Sequence, residues 1–176
     1  DKKIKIAFVC RFISSEDEPF FVKTIVKHLN KTQFEVILYA EERSPNERTE
    51  QFKHLFDTWV DIGEMNESEI AEHIYQAQVD IAADPGSGHA GGHYLGVMAR
   101  QPTPIQVTFS PMTLGLESIH YRFTDSVLDP IDAPIKGAET LLYLPDTLLC
   151  YTPPLENVSI QLRATSEGIC FVSFNQ

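Results

Sequence analysis

Apolar runs alternate with amphipathic segments through the first hundred residues, and that alternation restricts the fold more than any other feature. Ile4 to Val9 (IKIAFV), Phe34 to Ala40 (FEVILYA), the brief Trp59 to Ile62 and Val79 to Ala83 read as buried strands. Between them, Phe20, Phe21, Ile25 and Leu29 recur at near-helical spacing. A second helix is expected from Thr49 to Phe56. A third, with Ile70 and Ile74 four apart, is capped by Asn66 or Ser68 and ends near Gln76. Tyr94 to Arg100 gives a fourth, which Pro102 and Pro104 stop. A β-α-β-α-β-α-β-α order with short connections predicts an α/β, Rossmann-like parallel sheet with helices on both faces. Beyond Pro104, Ile105 to Phe109, Tyr121 to Thr124 and Leu141 to Leu144 read as further strands joined by long loops.

The fourth strand opens into Asp84-Pro85-Gly86-Ser87-Gly88-His89-Ala90-Gly91-Gly92-His93. In an open α/β sheet, ligands bind outside the carboxyl ends of the strands. Glycines there let backbone approach a ligand, so this turn is the first candidate site. It is not a dinucleotide fingerprint: that pattern follows the first strand of its unit, and Ile4 to Phe12 holds no glycine. No GKS or GKT triplet marks a phosphate loop.

The formal net charge of −11 argues against nucleic-acid partners and against docking on an anionic membrane. No apolar stretch approaches the roughly 18 residues of a membrane span. Cys10, Cys150 and Cys170 lie in apolar contexts without CxxC spacing and are expected to be buried thiols in a reducing, cytoplasmic compartment. Pro153 to Arg163 reads as a linker, and Gly168 to Phe174 as the first strand of a second domain. The expected division is therefore a domain over 1–152, with 153–176 leading into another, so that the chain reads as a fragment.

Several motifs, in order, resemble the O-GlcNAc transferase and SPINDLY family. Arg100 to Thr108 (RQPTPIQVT) is similar to that family's RRPAPVQVTW. Tyr121 to Ser126 with Leu128-Asp129-Pro130 is similar to DYRITDSLADP. Glu139-Thr140-Leu141, Leu144-Pro145-Asp146 and Leu149 to Pro153 are similar to ETLVRLPDCFLCYTP, and Gly88-His89 with Gly91 to DLSGHTAGNRL. The resemblance implies the N-terminal, acceptor-side domain of a GT-B glycosyltransferase. Such an enzyme moves a sugar from a nucleotide-sugar donor to protein Ser or Thr. UDP-GlcNAc is the family's commonest donor, and GDP-fucose and UDP-glucose relatives exist. The donor sits mainly against the second domain, so a first domain alone is expected to be inactive. No cofactor and no metal are implied. Tetratricopeptide repeats often precede this domain in the family.

The resemblance makes His89 the leading catalytic candidate, set against an ordinary loop histidine. A near-neutral imidazole suits removal of a hydroxyl proton. Asp84 would orient His89 or an acceptor group, or else form an Asx turn. Gly88 and Gly91 would shape the substrate wall. Arg11 and Ser15 stand where the family carries Asp and His, and Phe109 to Gly115, with Thr113, replaces a longer family loop. The aspartate before the family's Tyr-Arg pair is His120 here. These departures support a rival reading, a non-catalytic interaction domain that keeps the fold. His89 and His93, four apart, lack a third metal ligand other than Asp84, so His93 reads as a polar residue at a helix start.

Overall fold

The computed structural model describes residues 2–13, 20–42, 47–86, 93–134 and 137–150; the side chains of 11–13, 20–21, 48 and 93–94 lie outside the description. Ile4–Ile13 (β1), Phe20–His28 (α1), Phe34–Glu42 (β2), Glu47–Lys53 (α2), Thr58–Asp61 (β3), Glu67–Gln76 (α3), Ile81–Asp84 (β4) and His93–Ala99 (α4) alternate as expected. Ile105–Thr108 (β5), Tyr121–Thr124 (β6) and Thr140–Tyr143 (β7) follow. All pair in parallel, in one seven-stranded sheet of order β3-β2-β1-β4-β5-β6-β7.

The apolar runs are continuous because both faces of the central strands are covered. Successive side chains point to opposite faces. Phe8 and Cys10 of β1, with Val36, Leu38 and Ala40 of β2, pack with Val22, Val26 and Phe52 from α1 and α2. Ala7 and Val9, with Ile37 and Tyr39, pack against Ile70, Ile74 and Val97 from α3 and α4. Each fully buried Val, Leu, Ile or Phe among them contributes roughly 1.5–3 kcal/mol.

Local sequence sets the helix ends. Asn66 accepts from the Ser68 and Glu69 amides while Glu69 reaches back to the Asn66 amide, a capping box that starts α3. Gln78 and Gln101 take left-handed φ values of 52° and 49° just past α3 and α4, where the chain turns out of the helix.

Several boundaries differ from expectation. β1 runs on to Ile13 through a register shift between Cys10 and Phe12, so Arg11 lies in the strand, not in a loop. Its bulge lets a polar residue extend an apolar run. β4 begins at Ile81 because Gln78 turns the chain beforehand, and α2 begins at Glu47. Cys150 is exposed, against the expectation of a buried thiol: it follows the last strand, outside the two helix–sheet layers that bury Cys10. The linker and strand expected beyond residue 152 lie outside the described residues.

Candidate functional site

From β1 the chain proceeds first to β2 and β3 on one side, then to β4 and β5 on the other. The sheet therefore has a topological switch point between β1 and β4, and in such sheets ligands bind outside the carboxyl ends of the strands at that point. Cys10 near the end of β1, Asp84 at the end of β4 and Thr108 at the end of β5 meet there. Asp84 and Thr108 are directly paired in register.

Asp84 has no exposed surface. Its Oδ2 accepts from the Thr108 hydroxyl at 2.5 Å, and Thr108 Oγ1 in turn accepts from the Ser110 amide at 3.0 Å. Oδ1 has no hydrogen-bond partner among the described residues. Burial raises the Asp84 carboxyl above its ordinary range, opposed by the Thr108 hydroxyl and the Gly86 amide. Cys10 is pushed far upward, first by burial and second by the Asp84 charge, so it stays a thiol and is no nucleophile.

The main chain tightens the same spot. The Phe109 amide donates to the Asp84 carbonyl at 2.9 Å. Gly86 (φ +77°) presses against the strand that follows Thr108: a Cβ there would lie 2.8 Å from the Phe109 carbonyl oxygen. Only glycine takes this conformation at this distance without strain. Gly86 thus fixes the point at which the chain leaves β4. His89, Gly88, Gly91 and Ser15 lie outside the described residues, and Arg11 is placed by its backbone alone.

Thr113 is held by a partner outside the Asp84 cluster. Its hydroxyl donates to Glu139 Oε2 at 2.7 Å, and Glu139 Oε1 accepts from the Leu114 amide at 2.8 Å. Glu139 immediately precedes β7, so this contact anchors the loop after β5 to the sheet's far side. His120 is likewise structural: its Nδ1 accepts from the Gln106 amide at 3.0 Å.

A second polar cluster escaped the sequence reading. Arg122, 3% exposed, grips Asp129 with both terminal nitrogens at 2.9 and 3.0 Å, and the Thr124 hydroxyl also donates to Asp129. Arg122 first, with help from Thr124, holds the Asp129 carboxyl below its usual range against the opposing effect of burial. Asp125 accepts from the Leu148, Leu128 and Val127 amides, which lowers its pKa too. Thr108 also went unread, although a polar residue closing β5 level with Asp84 was a usable signal.

Among the described residues no group of three or more His, Cys, Asp or Glu side chains is placed to hold a metal ion, and no helix is long and apolar enough to cross a membrane.

The model of glycosyl transferase family 41 matches residues 1–152. The chain is 32% identical, over 99% of its length, to an Arabidopsis thaliana protein described as a probable UDP-N-acetylglucosamine–peptide N-acetylglucosaminyltransferase SPINDLY, of which it covers 20%. It is 26% identical over 85% of its length to the Arabidopsis thaliana protein of that description called SEC, covering 15% of it. A mutant O-GlcNAc transferase of Thermobaculum terrenum superposes on 88% of the chain with a TM-score of 0.79 and 26% identity, over 30% of that protein. The chain thus spans about a fifth of the length of its SPINDLY relatives. Its parallel sheet and these matches agree: the chain belongs to glycosyl transferase family 41.

Proposed function

We propose that this domain is the acceptor-side half of a nucleotide-sugar-dependent protein glycosyltransferase, with UDP-GlcNAc as donor and Ser or Thr of a protein as acceptor. The relatives' descriptions support the donor and the peptide acceptor. The observation that carries the reading within this chain is the buried Asp84 at the switch point, with one oxygen tied to Thr108 and the other without a hydrogen-bond partner among the described residues.

In this reading His89 takes the proton from the attacking hydroxyl as the bond from sugar to diphosphate breaks, and the diphosphate leaves on the donor side. Asp84, without exposed surface, acts as a positioning residue: it fixes the start of the turn and does not touch the acceptor. Gly88 and Gly91, without side chains, would let the acceptor approach the backbone closely. The reaction calls for no resident cofactor, since the transferred group arrives with the donor. The second domain completes the donor site, so 1–152 alone transfers nothing useful. The enzyme works in the cytoplasm.

The rival is an interaction domain without catalysis, favoured by Arg11 and Ser15 in place of the family's Asp and His. Incubating the full-length protein with UDP-GlcNAc, GDP-fucose and UDP-glucose in turn, and weighing acceptor proteins by mass spectrometry, separates the two. A HexNAc increment with UDP-GlcNAc alone supports the proposal. No increment with any donor supports the rival.

A further inference from the structure

A hollow of about 800 Å³ opens at the amino end of the sheet, where Lys2 precedes β1, Asp80 precedes β4 and His120 precedes β6. Asp84, which closes β4, stands four residues beyond Asp80, a span of about 13 Å along a strand. The hollow therefore lies at the opposite end of the sheet from the Asp84 cluster. A pocket of this volume is large enough for a small molecule.

Its wall is polar, with one exposed aromatic ring. Tyr75, near the end of α3, is 64% exposed, and Gln78 and Gln101, both exposed, share the lining with it. These two glutamines are also the non-glycine residues of left-handed φ among the described residues. Glycine is usual where a chain leaves a helix in this conformation, and a side chain there carries a conformational cost. One glutamine follows α3 and the other α4, yet both meet in one wall. Strained backbone of this kind gathers at binding sites. Among the described residues neither carboxamide has a hydrogen-bond partner, so each offers a donor and an acceptor.

Charge narrows the ligand. Lys2, the one lysine or arginine in the described lining, pairs with Asp80 at 3.5 Å, which leaves no free cation there for the phosphates of a nucleotide. His120 spends Nδ1 on the Gln106 amide and keeps Nε2–H as a donor. An aromatic face with neutral amides matches a sugar ring, which carries C–H bonds on its faces and hydroxyls at its rim. Each hydroxyl donates and accepts, as a carboxamide does. A second hollow of about 360 Å³ shares Tyr75, Gln101 and Pro102 and adds Arg100, so a sugar at Tyr75 has room for the chain that carries it.

We propose that this hollow binds a neutral pyranose sugar, stacked on Tyr75 and hydrogen-bonded by Gln78 and Gln101, its source being a protein that already carries the transferred sugar. The choice of source rests on the glycosyltransferase reading; the ligand class rests on the wall alone. The amino end of the sheet then holds a modified protein while the carboxyl end serves the next acceptor.

The test uses the full-length protein and the methyl glycosides of N-acetylglucosamine, fucose and glucose. Binding is read by saturation-transfer NMR with saturating UDP and GDP, which occupy the donor site. At least one glycoside should bind. Tyr75→Ala, and separately Gln78→Gly with Gln101→Gly, should each weaken it at least about tenfold. The double variant should melt no lower than wild type, because glycine relieves the left-handed backbone. No binding by any glycoside, or binding that survives both variants, overturns the proposal. So does a lowered melting temperature in the double variant, since the glutamines then serve the fold. The source is tested with one serine peptide, bare and carrying the bound sugar. Tighter binding of the glycopeptide, lost in Tyr75→Ala, supports a modified protein; equal binding of the two peptides overturns that source in favour of free sugar. Binding is read without transfer, so glycoside binding by a protein that transfers no sugar sinks the glycosyltransferase reading and leaves the sugar site standing.

Discussion

The hydroxyl of Thr108 donates to Asp84 Oδ2 across the β4–β5 pair, next to the point where the sheet's strand order reverses. With the same oxygen accepting from Ser110, the hydroxyl's only proton is committed to the carboxylate. Replacing Thr108 by Val keeps the shape and removes both contacts. The buried carboxylate then loses a charge-assisted hydrogen bond, at a cost of about 1–3 kcal/mol. Urea denaturation should show a lowered midpoint with an unchanged slope. An unchanged midpoint would mean that the pair does not stabilise the fold.

Asp84 also predicts a pH dependence. Its folded-state pKa is raised, principally by burial. The native state therefore binds its proton more readily than the unfolded chain. The cost of the buried charge is absent below the unfolded value of about 3.9 and appears as pH rises through the folded pKa. Wild type should lose stability relative to Asp84→Asn as pH rises across that window, and the gap should level off above it. A gap that is constant with pH contradicts the assignment.

Gly86→Ala should be harmful through backbone alone. The side chain would meet the Phe109 carbonyl at 2.8 Å in a left-handed conformation. The conformational penalty is about 1–2 kcal/mol before any clash is counted. A lowered melting temperature together with reduced transfer by the full-length enzyme is expected, because the base of the turn must move. Wild-type values for both would show that the turn tolerates a side chain.

Asp129→Ala should destabilise more than an exposed ion pair would. It strands the guanidinium of Arg122, whose side chain is 4% exposed. Breaking such a pair typically costs about 3–5 kcal/mol, and the 28% exposure of the Asp129 side chain puts this one near the lower end. The lowered pKa of Asp129 gives the matching acid dependence: its contribution is complete above the unfolded carboxylate value and is lost as pH falls through the folded one. A loss under 1 kcal/mol, or no acid dependence, would contradict the pairing.

The strands were legible because a parallel sheet covered on both faces needs unbroken apolar runs, and Ile4 to Val9 and Phe34 to Ala40 supply them. The third helix was legible because Asn66 and Glu69 carry its start in four residues. The partners of Asp84 and Asp129 were not. Thr108 reaches Asp84 only after a crossover brings β4 and β5 together, and Arg122 meets Asp129 through the fold of a loop. The partner of Thr113 was equally hidden, because Glu139 lies 26 residues on in sequence. Gln106 is fully buried with its amide nitrogen on the Met98 and Ser118 carbonyls, in a strand whose alternation gave no hint of a polar core residue.

The central claim is that the turn set on Asp84 carries the catalytic group, His89. Sugar transfer from labelled UDP-GlcNAc by the full-length protein, wild type against His89→Ala, measures it most directly. The account predicts a fall in kcat of at least about a hundredfold, the lower range for losing a general base, with donor affinity unchanged. Equal turnover by the two proteins would contradict it.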